Sequence, residues 1–190
     1  MTSSIDEVEG FVLQDDYLSE AEEAALIDWI DQQPWDTTLR RRVQHYGYRY
    51  DYTSRDIDSA LFLGELPGPL GDLAGRLVDE GVLKTIPDQV IINEYEPGQG
   101  IAAHVDCVPC FGPQIASISL GAHVGMDFIR VKDQVKISQT LKARSLLVFS
   151  DVARYEWKHG IAARKSDLID GKRVPRGRRI SLTFRFVLKD

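Results

Sequence analysis

The chain has 190 residues, 43% apolar and 27% charged, which suits one globular domain with a full core and leaves no room for a second. Its first residues, MTSSIDEVEG, are polar and acidic, and no apolar run approaches the ~18 residues of a membrane span, so neither a leader nor a transmembrane helix is expected, and a cytoplasmic monomer is. The net charge of −6 speaks against a polyanionic partner, yet it hides a split, because residues 130–190 carry +10 and the remainder −16. A basic surface for phosphates can therefore coexist with an acidic half, although a merely solvated basic face is the plainer alternative.

Taken in chain order, Ser19 and Glu22 form a capping-box pattern, and Ala25, Leu26, Trp29 and Ile30 follow at helical spacing before Pro34, which predicts a helix over 19–33. Arg40, Arg41 and Arg42 then lead into Tyr46, Tyr48, Tyr50 and Tyr52. Alternation would place these four phenols on one face of an extended ribbon. Aromatic rings beside Arg42 suit stacking on an unpaired base with phosphate contact, so Arg42, Tyr46, Tyr48 and Tyr50 are candidate substrate residues; packing against the helical layer is the alternative. Leu70, Leu73, Ala74, Leu77 and Val78 predict a second helix over 69–82, weakened by Gly71 and Gly75.

From Gln89 the texture changes to short β-rich runs: VIINEY, IAAHVD, IASISL, MDFIRV, QVKIS, SLLVFS, YEWKHG and RRISLTFRFV. The sequence Glu96-Pro97-Gly98-Gln99 carries type II turn chemistry between the first two. About eight strands in the last hundred residues, behind two helices, predict an α+β fold: a helical layer on an antiparallel jelly-roll.

Within IAAHVD, His104 and Asp106 are two apart and leave one face of a strand. His159, after Tyr155-Glu156-Trp157, supplies a third donor, and two histidines with one carboxylate form the facial triad of non-haem iron(II) oxygenases. In the last strand Arg179, Ser181, Thr183 and Arg185 share one face and Ile180, Leu182, Phe184 and Phe186 the other. Two arginines lining a β-roll interior would be costly without an anion, and their planar forks suit a dicarboxylate; an exposed basic edge strand is the alternative. Asn93 and Tyr95 offer an amide and a phenol to the same pocket.

Cys107 and Cys110 have C-x-x-C spacing without a second pair, so a structural zinc lacks ligands. They read as a loop beside the metal with oxidisable thiols, and no disulfide is expected. His45 and His123 belong to no pattern and read as surface or packing residues.

These motifs, in this order from about Gly10 to Val187, resemble the AlkB-type dioxygenases: Asn-x-Tyr-x-Pro-Gly (93–98), His-x-Asp (104–106), Trp-x-His-Gly (157–160) and Arg-x5-Arg (179–185). The resemblance implies a double-stranded β-helix in a single domain over 1–190, with a helical layer and nucleotide-recognition lid over 1–88 and the β-roll core over 89–190. It implies that His104, Asp106 and His159 bind Fe(II), and that Arg179, assisted by Asn93 and Tyr95, pairs with the distal carboxylate of 2-oxoglutarate. Arg185 would sit near the metal-chelating carboxylate and Asp106. Ser181 stands where the enterobacterial repair enzyme has Asn. It further implies use of O2 to oxidise alkyl groups on single- or double-stranded nucleic acid, with N-alkyl carbons released as aldehyde. Ile-Ser-Leu-Gly (118–121) and Arg-Ser-Leu-Leu-Val (144–148) resemble the branch containing the animal tRNA wobble-uridine hydroxylase and its bacterial single-domain relatives. Hydroxylation of a tRNA uridine or demethylation of a protein are thus the enzymatic alternatives, and a nucleic-acid-binding β-roll without turnover is the non-enzymatic one.

Overall fold

The computed structural model describes residues 5–50 and 61–188. Helix α1 (Glu20–Asp31) begins at the expected signal. Ser19 Oγ accepts from the Glu22 amide at 3.2 Å, and the Glu22 carboxylate accepts from the Ser19 amide at 2.7 Å, which satisfies two donors the helix end would otherwise leave bare. Helix α2 (Gly68–Asp79) turns Leu70, Leu73, Ala74 and Leu77 inward, the stripe its spacing predicts.

Both helices cover the outer face of a six-stranded antiparallel sheet. Its order is β1 (Phe11–Gln14), β8 (Leu146–Phe149), β5 (Phe111–Gly121), β12 (Arg179–Val187), β3 (Gln89–Tyr95) and β2 (Val43–Tyr46). A four-stranded sheet lies opposite: β4 (Ile101–His104), β9 (Trp157–Ile161), β6 (Val124–Arg130) and β7 (Lys136–Leu141). A separate hairpin joins β10 (Ser166–Ile169) to β11 (Lys172–Pro175). The result is the jelly-roll with a helical layer that the strand pattern predicts.

Alternation in β12 decides where the two cores lie. Ile180, Leu182 and Phe184 pack outward into a buried cluster with Leu26, Ile30, Leu70, Leu73 and Leu77, each such side chain stabilising the layer by about 1.5–3 kcal/mol relative to exposure. Between the sheets lies a second cluster, with Tyr95, Phe128, Phe149 and Trp157. The polar residues of β12 face that second space. The Pro97-Gly98 turn, which joins β3 to β4, has Gly98 at φ +93° and a 2.9 Å bond from the Gln99 amide to the Glu96 carbonyl, as type II geometry requires.

Several elements depart from expectation. Strands β1 and β2 form both edges of the six-stranded sheet, so the N-terminal portion adds strands as well as helices. The hairpin β10–β11 has no apolar alternation to announce it, since its one fully buried side chain is the charged Asp167, while Leu168, Lys172 and Arg173 are exposed. Tyr155 and Glu156 belong to a short helix, α3 (Asp151–Glu156), and the strand starts only at Trp157. Among the described residues no helix is long and apolar enough to cross a membrane.

Candidate active site

Strands β4 and β9 are hydrogen-bonded neighbours whose register sets His104 against His159, with ring centroids 4.6 Å apart. Strand β4 stops at His104, so Asp106 does not share its strand face as expected. A turn after His104 delivers the carboxylate instead, and Asp106 Oδ1 lies 3.2 Å from His104 Nε2 and 3.7 Å from His159 Nε2. Donor atoms on one face of an octahedral ion, each about 2.1 Å from it, stand about 3 Å apart. The three donors all lie within 4.8 Å of one another, so a small inward movement closes them on one ion.

The protonation states suit that role. His104 Nδ1 lies 2.8 Å from the Ala102 carbonyl and must donate to it, which leaves the Nε2 lone pair for a metal. His159 stacks on Phe149 at 4.9 Å, and its burial pushes its pKa down to about 4, so it is a neutral ligand. Burial would favour a protonated Asp106, but the Arg185 cation, the largest opposing influence, overrides it and holds the carboxyl well below the ordinary range. Arg185 does this from Nε at 3.0 Å to Asp106 Oδ2, while Gln89 Oε1 accepts from its Nη1 at 3.3 Å and the Phe111 ring lies 4.6 Å beneath it.

At the other end of β12, Arg179 is 2% exposed. Its Nη2 donates to Ser119 Oγ at 2.8 Å, its guanidinium lies 5.5 Å from the Tyr95 ring centre, and its buried Nε has no acceptor among the described residues. Burial lowers its pKa only to about 10, so it remains a cation. A buried cation with a donor unused is a costly arrangement that an incoming carboxylate would relieve. Tyr95, whose pKa burial raises, stays a neutral phenol. Ser181 sits in register between Asn93 and Ser119 on the flanking strands. The residues present thus fit a diacid that spans from Arg179 toward the metal face. Ser119 was missed by sequence reasoning, because its alternation with Ser117 looks like ordinary strand polarity.

The arginine–tyrosine ribbon is not one continuous face. Strand β2 ends just before Gly47, whose φ of +75° and position against the Asp88 carbonyl, 1.8 Å from where a Cβ would stand, admit only glycine. The alternation therefore breaks there. Tyr46 faces the helical layer, its ring 5.7 Å from Trp29 and its hydroxyl donating to Gln44 Oε1 at 2.9 Å. Tyr48 is buried against Phe62 at 5.0 Å, and Tyr50 stands 5.9 Å from Phe111, on the loop after Asp106. Tyr52 lies outside the described residues. Arg42 also turns away: it forks onto Glu94 with two 2.7 Å bonds and covers Trp35. Arg41 instead donates from Nε to Asn93 Oδ1 at 2.9 Å, so of Arg41 and Arg42 it is the former that reaches the pocket. The cysteines depart as well, since Cys107 and Cys110 form a disulfide; the turn that carries Asp106 brings their Cα atoms to 5.3 Å, within bonding range.

His45 alternates with Gln44 and so points to the pocket side of β2. Burial, with Arg49 and Arg185 adding to it and Asp36 opposing, pushes its pKa down to about 4. His45 and His159 thus stay neutral when folded but bind protons below about 6.5 when unfolded. The metal-free protein should lose thermal stability as pH falls from 6.5 toward 4, before most carboxylates titrate. Melting temperatures across that window check this, and His45→Gln should flatten the slope.

A jelly-roll that presents two histidines and a carboxylate beside a buried arginine berth defines the class of non-haem iron oxygenases. The family model described as the 2OG-Fe(II) oxygenase superfamily matches residues 11–185, and the chain belongs to that family. It is 36% identical over 184 residues to the uncharacterized protein L905 of Acanthamoeba polyphaga mimivirus, covering 95% of this chain and 86% of that one. It is 39% identical over 168 residues to the tRNA (carboxymethyluridine(34)-5-O)-methyltransferase alkbh8 of Xenopus tropicalis, but spans only 26% of that protein against 84% of its own length. The solved structure of OsALKBH1 superposes with a TM-score of 0.68 at 19% identity, covering 93% of this chain and 96% of that one. The protein is accordingly an AlkB-like dioxygenase that uses Fe(II), 2-oxoglutarate and O2.

Proposed function

We propose that this enzyme oxidises an alkyl carbon carried by a nucleic-acid base, and that an N-alkyl group so oxidised leaves as an aldehyde. The supporting observation is that the tyrosine-bearing segment closes onto the metal loop. Tyr50 stands over Phe111, and the Tyr48 carbonyl accepts from Gln89, the residue that also holds Arg185. An aromatic ring beside the metal loop suits stacking on a base taken out of its helix, and exposed Arg40 and Lys165 add positive charge for the phosphates. A relative 30% identical to this chain, from Caenorhabditis elegans, is named a DNA N6-methyl adenine demethylase.

When bound, Fe(II) with 2-oxoglutarate activates O2 to oxidise a substrate C–H bond, the co-substrate leaving as succinate and carbon dioxide. The chain's part is positioning. His104, Asp106 and His159 would hold the ion on one face and leave the other for ligands. Arg179, Ser119 and Tyr95 would orient the distal carboxylate, with Asn93 and Ser181 alongside. Arg185 keeps Asp106 ionised and aimed. Phe149 and Phe111 exclude water from the histidine and arginine sides.

Hydroxylation of a tRNA uridine side chain is the second reading, favoured by the higher identity to the Xenopus protein, whose name specifies carboxymethyluridine 34 of tRNA. There the oxidised carbon would keep its new hydroxyl, because no nitrogen lone pair expels it. One assay separates the two: purified enzyme with Fe(II), 2-oxoglutarate and O2 is offered N-methylated DNA and RNA oligonucleotides and bulk tRNA, and succinate is measured beside nucleoside masses. Methyl loss coupled to succinate supports dealkylation, and a gained oxygen on uridine supports the second reading. Succinate formation that no nucleic acid stimulates overturns both.

A further inference from the structure

Arg154 is a buried cation that the oxidation does not use. It lies in α3, ahead of His159, and is 2% exposed. Among the described residues it meets no carboxylate at ion-pair distance. It donates instead to backbone carbonyls: from Nη1 to Asp106 at 2.9 Å, from Nη2 to Cys107 at 3.2 Å and Phe111 at 3.4 Å, and from Nε to Gly112 at 3.4 Å. Those carbonyls belong to the two ends of one loop, residues 106–112. The Cys107–Cys110 disulfide and a 3.2 Å bond from the Phe111 amide to the Cys107 carbonyl close the same loop. A guanidinium removed from water without a counter-ion is costly, and here all its described bonds converge on the segment that begins with the metal carboxylate.

We propose that Arg154 is the positioning residue of the metal centre: by gripping the Asp106 carbonyl and the far end of its loop, it fixes the backbone from which the carboxylate reaches the two histidines. Its guanidinium acts through that loop backbone, with no bond to a metal-ligand side chain. The inference rests on the triad being the metal site and is indifferent to the substrate. A role confined to stability would show otherwise, since a loop anchor of that kind lowers the melting temperature and leaves the metal affinity of the folded protein unchanged.

The test uses the whole protein with Co(II), which does not require oxygen-free handling, and reads both affinity and the visible absorption of the bound ion. Arg154→Lys keeps the charge but cannot span four carbonyls. It should stay folded by circular dichroism, bind Co(II) about 10-fold more weakly, as for groups that orient metal ligands, and change the absorption. Ile30→Val, a fully buried change in the helical layer, should lower stability while leaving affinity and spectrum as in the wild type. A folded Arg154→Lys protein with wild-type affinity and spectrum overturns the proposal. Should that variant fail to fold, Tyr155→Ala decides: its exposed ring lies 5.0 Å from the guanidinium, and removing it should weaken Co(II) binding about two- to threefold through a looser grip, whereas unchanged binding overturns the proposal. Wild-type protein that binds no Co(II) would instead refute the metal site itself, and the proposal with it.

Discussion

Asp106→Ala should abolish 2-oxoglutarate turnover and weaken divalent metal binding by more than ~10³-fold, because a neutral methyl replaces the only anionic donor of the triad. The two histidines would remain 4.6 Å apart by ring centroid, but a pair of neutral donors cannot offset the dehydration of a doubly charged ion. A second effect accompanies the first. Arg185 sits 11% exposed in its side chain with Asp106 as its ion-pair partner, and among the described residues would be left with Gln89 and the Phe111 ring but no anion, a loss of about 3–5 kcal/mol when one partner of a buried pair is removed. Asp106→Ala should therefore melt lower than His104→Ala, whose ring is 37% exposed and leaves no charge uncompensated. Calorimetric titration with Mn(II), run beside thermal melts, measures both quantities. Metal binding retained within tenfold by Asp106→Ala would remove the triad from the reaction.

For Arg179→Met the expectation runs the other way on stability. The KM for 2-oxoglutarate should rise about 100-fold, the equivalent of one or two charge-assisted hydrogen bonds, while kcat at saturating co-substrate and the affinity for metal change little. The metal-free variant should melt at the same temperature or higher. Arg179 is fully buried with an unused Nε, and a thioether of similar length does not need to be desolvated as a cation. Arg179→Lys should be intermediate in KM, since an ammonium supplies charge without the planar fork. Steady-state kinetics over a wide 2-oxoglutarate range with melts of the metal-free protein test both signs; an unchanged KM would mean that the diacid lies elsewhere.

Much of this architecture is visible in the chain because local chemistry and tertiary packing agree. The capping box at Ser19 and the alternation of Arg179 through Arg185 mean the same thing in isolation as in the fold, although a register shift after Arg185 takes Phe186 out of the outward cluster. The failures occur where backbone geometry intervenes. Asp106 lies beyond the end of β4, so it meets the two histidines by a route other than the shared strand face that the spacing suggested. Gly47 breaks the tyrosine ribbon by approaching the Asp88 backbone, a contact that no pattern announces. Arg42 and Arg41 exchange roles for the same reason, since their register against β3 decides which one meets Glu94. Arg154 is the least legible of all: its partners are carbonyl oxygens, which every residue carries. The cysteine pair likewise shows its spacing in the sequence, but whether it bonds depends on the turn between its members.

Strand β12 is the last in sequence among those described, yet it lies at the centre of the six-stranded sheet, flanked by β5 and β3. Order along the chain and order across the sheet are thus opposed. A nascent chain emerging from the ribosome holds β3 and β5 as two open borders awaiting a strand that has not yet been made, and such borders invite pairing with other chains. Insertion of β12 closes the gap and in the same step delivers Arg179 and Arg185 to the pocket, so the strand that completes the sheet also carries the berth for the co-substrate.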